Sequence, residues 1–136
     1  MIKNNSKKKL YLIDGMAMIY RAHYAMIKNS LITSDGRNTS AIHGFFNSIF
    51  KLLRDENPDY FAVILDCKEP TFRHKMYKEY KANRPKMPDE LAEQIQPILD
   101  FLKAANYPMI RKIGYEADDI IGTISKRAIE HDIDTY

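Results

Sequence analysis

The chain of 136 residues has a single cysteine, Cys67. One thiol excludes an intrachain disulfide framework and a cysteine-rich zinc site. It also fits a reducing, cytoplasmic setting. Long apolar runs are missing as well. Met1 to Lys9 is polar and basic, and the apolar run after it is cut by Asp14. That run is too short for the apolar region of a signal peptide or for a transmembrane helix, so no membrane association is expected. There is no internal repeat and no low-complexity segment. His23, His43, His74 and His131 lack the mutual spacing of a metal site, and no catalytic role is assigned to them.

What is present suits one domain or part of one. Apolar residues make up 45% of the chain, enough for an ordinary globular core. The net charge of +3 hides an asymmetry. Residues 68–86 hold seven Lys/Arg against two acids, a local net of +5 that leaves −2 for the rest. A basic segment beside acidic clusters is what an enzyme holding a metal and acting on a polyphosphate needs, because carboxylates alone repel that substrate. A solvated helix face has the same composition. Phe72, Tyr77 and Tyr80 lie among these charges, where bases could stack on them, although aromatics also pack helices.

The hydrophobic pattern alternates between strand and helix, which predicts an α/β fold. Lys9 to Ile13, Tyr60 to Leu65, a stretch within Tyr107 to Ile113, and Ile133 to Tyr136 read as strands. Met16 to Met26 reads as a helix with Met18, Ala22 and Ala25 on one side. Thr39 or Ser40 caps a second helix running to about Arg54. Residues 67–88 read as a basic helical excursion plus a loop outside the core. Asp89 to about Ala105 is amphipathic, and Pro97 predicts a kink or two short helices there. Glu116 to about His131 is the last helix, with Ile120, Ile121, Ile124 and Ala128 inward.

Three carboxylate positions follow predicted strands. Asp14 ends the first and Asp66 the second, while Glu116, Asp118 and Asp119 follow the third. In parallel sheets the C-terminal strand ends meet at one edge, where ligands bind. Hard oxygen donors gathered there suit Mg²⁺ or Mn²⁺. Taken singly, Asp14 and Asp66 read more readily as caps or turn residues than as ligands, and the acidic cluster reads also as a complement to a helix dipole. Glu116 and Asp118 are two positions apart, so all three acids can reach one site only if Glu116 precedes the regular helix. Gly114 permits such a turn.

Several stretches together resemble the N-terminal 5′-nuclease domain of bacterial DNA polymerase I, and more broadly the flap-endonuclease and bacteriophage 5′-exonuclease family. They are Leu12-Ile13-Asp14-Gly15 with Tyr20-Arg21, Ala41-Ile42-His43-Gly44-Phe45, Val63-Ile64-Leu65-Asp66, Phe72-Arg73-His74, Glu79-Tyr80-Lys81-Ala82-Asn83-Arg84, and Gly114-Tyr115-Glu116-Ala117-Asp118-Asp119. The resemblance implies a PIN-like parallel sheet with helices on both faces and a basic arch over residues 67–88. It implies metal ligation by Asp14, Asp66, Glu116, Asp118 and Asp119, directly or through water. It gives Lys81 and Arg84 contact with the scissile phosphate, and Arg21, Arg73 and Tyr80 contact with DNA.

The implied activity is hydrolysis of phosphodiesters with Mg²⁺ or Mn²⁺, two ions in the complete domain. The implied substrates are 5′ ends, flaps, nicks and single-strand/double-strand junctions of DNA, including RNA primer–DNA, read by shape rather than sequence. The family continues with an aspartate-lysine-aspartate motif and a helix–turn–helix element that these residues lack. Asp132 and Asp134 do not match that motif. The chain is therefore expected to comprise a basic tail over 1–8 and, over 9–136, the N-terminal half of a 5′-3′ exonuclease domain. Two other readings stand beside it: a nucleic-acid binder without catalysis, and another α/β metalloenzyme such as a PIN-class ribonuclease.

Overall fold

A computed structural model describes residues 6–136. Most of the expected basic tail, residues 1–5, lies outside the described residues. Four parallel strands form one sheet in the order β3-β2-β1-β4: β1 Lys8–Asp14, β2 Tyr60–Ile64, β3 Met109–Ile110 and β4 Ile133–Thr135. β1 pairs with β2 from Leu10↔Tyr60 to Asp14↔Ile64, and with β4 from Lys8↔Ile133 to Leu10↔Thr135. Between the strands run α1 Gly15–Ala25, α2 Ser40–Glu56, α3 Phe72–Met76, α4 Asp89–Ala104 and α5 Ala117–Glu130. Among the described residues no helix is long and apolar enough to cross a membrane.

The sheet is covered on both faces, which is why β2 reads as a continuous apolar run. On one face Ile13, Val63 and Leu65 pack with Ile19 of α1, Phe45 and Ile49 of α2, and Leu91, Ile98 and Leu102 of α4. On the other, Ala62 and Ile64 pack with Ala117 and Ile120, joined by Ile121 and Ile124 of α5. The core side of α1 is Ile19, Ala22 and His23; Ala25, expected on it, is exposed.

Gly15 opens α1 directly against β2. A Cβ there would lie 2.8 Å from Leu65 Cδ2 and 3.1 Å from the Ile64 carbonyl oxygen. The close approach sets α1, and Asp14 before it, tight on the sheet edge.

Over 67–88 the expected helical excursion is short, Phe72–Met76, and turns and a loop follow it. Lys81 lies in the left-handed region at φ 58°, which interrupts any helix through 77–84. α4 runs unbroken through Pro97. Pro97 and Glu93, whose carbonyl loses its partner, are both exposed, so water can satisfy that group. Thr39 occupies the N-cap of α2 but makes no side-chain cap bond. Gln94, buried on α4, does so instead, its Oε1 accepting from the Ala41 and Ile42 amides at 2.9 and 3.1 Å.

Candidate active site and its carboxylates

The C-terminal ends of β1 and β2, the start of α5 and the basic segment enclose a cleft of about 650 Å³. Asp14, Asp66, Glu116 and Asp118 line it, together with Lys81 and Arg84. The sheet topology therefore brings four of the five nominated carboxylates to one edge and sets two cations of the basic segment against them. Asp119 is not among the lining residues.

Each carboxylate is held differently. Asp14 is the N-cap of α1, its Oδ1 accepting from the Ala17 amide at 3.1 Å. Asp66 Oδ1 accepts from the Ala117 amide, the first of α5, at 2.7 Å. Among the described residues no hydrogen bond engages the second oxygen of either, or Asp118. For Asp14 and Asp66 alike, one oxygen caps a helix and the residue lines the cleft.

Glu116 precedes the regular helix as the N-cap of α5, with extended backbone at φ −86°, ψ 163°. Gly114, two residues earlier, sits at φ 86°, a turn that L side chains rarely adopt. The buried Glu116 carboxylate accepts from Arg73 Nη1 at 2.9 Å, from the Tyr80 hydroxyl at 3.1 and 3.2 Å, and from Lys81 Nζ. Asp119 accepts both arms of the Arg73 guanidinium, at 2.7 and 2.8 Å, and the Glu116 amide at 3.0 Å. Burial pushes the Glu116 carboxyl up, but bonds from Lys81 and Tyr80 and the Arg73 charge outweigh it, and its pKa falls below the usual range. The Arg73 fork lowers that of Asp119, and Asp119 in return raises that of Arg73.

Of the residues nominated for DNA contact, Arg84 is exposed and lines the cleft. Arg21 is exposed on α1 outside it. Arg73 and Tyr80 face the acidic cluster. Lys68 and Arg111 also line the cleft and were not nominated. Arg111 had a legible signal, a cation immediately after a strand at the sheet's C-terminal edge.

The donor set suits a hard divalent cation: among the described residues Asp14, Asp66 and Asp118 each have an oxygen without a hydrogen-bond partner, beside one cleft. Among the described residues, however, no three His, Cys, Asp or Glu side chains stand close enough to enclose an ion together. The residues fit such an ion in chemistry, and closing around it requires side-chain movement.

Comparison with known proteins follows the same lines. Residues 9–136 match the family model of the 5′-3′ exonuclease N-terminal resolvase-like domain. The chain is 45% identical over 126 residues to DNA polymerase I of Treponema pallidum, covering 92% of this chain and 13% of that protein. It is 42% identical over 120 residues to a 5′-3′ exonuclease of Aquifex aeolicus, covering 88% of this chain and 41% of that one. The chain thus spans less than half the length of these relatives. The 5′-exonuclease of bacteriophage T5, solved with divalent zinc ions, superposes with a TM-score of 0.63 at 19% identity, over 94% of this chain and 48% of its own. The T5 flap endonuclease in a complex with DNA and metal ions gives 0.61, also at 19% identity and over the same shares. These likenesses show the α/β fold. With the family model matched from residue 9 to the last residue, the chain belongs to the 5′-3′ exonuclease family through its N-terminal resolvase-like domain.

Proposed function

We propose that this chain carries the acidic sheet edge and basic arch of a metal-dependent 5′-nuclease acting on DNA in replication and repair, in the bacterial cytoplasm. The observation that carries the reading is one cleft in which Asp14, Asp66, Glu116 and Asp118 meet Lys81 and Arg84. Asp14, Asp66 and Asp118 would hold Mg²⁺ or Mn²⁺, with Glu116 joining once Lys81 gives way, and two ions in the complete domain. When bound, a divalent ion there supplies charge stabilisation to an in-line displacement at phosphorus. Lys81 and Arg84 grip the phosphate, lower the repulsion between substrate and carboxylates, and stabilise its developing charge. Substrates are 5′ ends, flaps, nicks and junctions, RNA primer–DNA included, because phosphate contacts position a duplex without reading sequence.

The test is Mg²⁺-dependent cleavage of a labelled 5′-flap DNA, with Asp66→Asn as the control. Cleavage lost in the variant supports the reading. Salt-sensitive flap binding without cleavage supports the second reading, a half domain that binds nucleic acid without cutting it, which the separation of the carboxylates favours. Cleavage of folded RNA but not flap DNA would move the chain to another branch of α/β metal-dependent nucleases. Neither binding nor cleavage refutes both DNA readings.

A further inference from the structure

Arg73 and Asp119 stand apart from the cleft chemistry. Both Asp119 oxygens are taken by one guanidinium, at 2.7 and 2.8 Å, and the same Arg73 reaches Glu116 at 2.9 Å. Such a two-armed contact fixes orientation as well as distance. Its two ends lie on elements of unequal security. Asp119 belongs to α5, which has a buried face of its own. Arg73 belongs to α3, five residues long with no buried residue. A helix that short does not persist by itself, so contacts with the loop and helix start at 114–119 must hold it. Beyond the Arg73 fork these are Phe72 N–H to the Gly114 carbonyl at 3.0 Å and the Phe72 and Tyr115 rings at 5.9 Å. The chain then runs directly from α3 into the turns that carry Lys81 and Arg84 to the cleft.

From this arrangement we infer that Arg73 and Asp119 are a positioning pair. They moor α3 to the start of α5 and thereby hold the basic segment 72–84 over the acidic edge. Asp119 serves that brace and is not a metal ligand; Arg73 acts on DNA only through Lys81 and Arg84. The five acids of the motif set thus divide by task, Asp14, Asp66 and Asp118 toward the cleft, Asp119 toward the arch, and Glu116, which lines the cleft and binds Arg73 and Lys81, between the two. The inference rests on the nuclease reading for its consequence in DNA binding, but not for the mooring itself.

The experiment uses this chain with Asp119→Asn, Arg73→Gln, the double variant, and Arg73→Lys, which keeps the charge but loses the fork. Amide hydrogen exchange across 72–84 is measured alongside affinity for 5′-flap DNA in EDTA and Mn²⁺ binding by electron paramagnetic resonance. Each single variant is expected to speed exchange across 72–84 while leaving α2 unchanged. Flap affinity should fall by about five- to twentyfold in each, and no further in the double, as interaction energies within one shared network imply. Arg73→Lys should follow Arg73→Gln. Mn²⁺ affinity should survive Asp119→Asn and fall with Asp66→Asn. Unchanged exchange across 72–84, multiplicative losses in the double variant, or loss of Mn²⁺ binding in Asp119→Asn would each overturn the brace. If the unsubstituted chain binds no flap DNA, the nuclease reading fails, and the exchange data alone decide the mooring.

Discussion

Replacing Asp66 separates its two duties. Its Oδ1 receives the first amide of α5 at 2.7 Å across 51 positions of sequence, tying β2's end to the helix that follows Glu116 and carries Asp118. Removing a capping acceptor costs about 1 kcal/mol, within a range of roughly 0.5–2. The Ala117 site is buried, so Asp66→Ala belongs in the upper half, at about 1.5 kcal/mol. Asn keeps the acceptor and loses only the charge, so Asp66→Asn should cost about 0.5 kcal/mol. For a domain of this size that is a fall in Tm of roughly 5 °C for Ala and about 2 °C for Asn. Urea titration followed by circular dichroism gives both values. Divalent-ion binding should be lost in both variants, because it depends on the charge. Equal destabilisation by Asn and Ala would refute the capping role, and ion binding retained in Asn would refute the ligand role.

Three further outcomes are expected. Glu116 and Asp119 have pKa values below their ordinary 4.5 and 3.8. The stability they contribute is therefore complete above those values and lost as pH falls through the lower folded-state values. Thermal melts should be flat from about pH 8 to 5 and drop below roughly pH 4, with a smaller drop in Arg73→Gln; an equal drop would show that the Arg73 contacts are not the cause. Gln94→Leu removes the acceptor for two amides at the start of α2, one of them on buried Ala41, and should cost about 2–4 kcal/mol in urea unfolding; a loss under 1 kcal/mol would mean water replaces it. Lys81→Ala with Arg84→Ala should weaken flap binding and reduce its salt dependence by about one to two released counterions, and an unchanged salt slope would place the phosphate elsewhere.

Much of this fold is legible in the pattern of apolar residues. The continuous run at Tyr60 and the helical spacing of Ile42, Phe45, Phe46 and Ile49 depend on neighbours a few positions away, where sequence carries the signal. The same holds for Gly114, whose backbone freedom lets Glu116 stand outside α5. What escaped depends on partners far along the chain. Gln94 supplies the side-chain acceptor for a helix that starts 54 positions earlier, while Thr39 holds only the N-cap position. Arg73 is paired with acids more than 40 positions on, a pairing that its own neighbourhood does not announce. The helical part of 67–88 is shorter than its composition permits, because the left-handed Lys81, in contact with Glu116, prevents a helix from continuing through 77–84, and no local signal reports that contact.

The position of β1 has a consequence for how the molecule assembles. As a central strand it must be paired on both sides, yet one partner begins at Tyr60 and the other at Ile133. The backbone of Tyr136 closes the pairing, exchanging bonds of 2.9 Å with Leu10 and Leu12. A chain made from its N-terminus therefore holds β1 half-paired until Ile133 to Tyr136 have been added. Such distant closures slow folding, and until they form, the open side of β1 is a template for any other extended segment. The strand that organises the acidic edge is thus made long before the partner that encloses its second side.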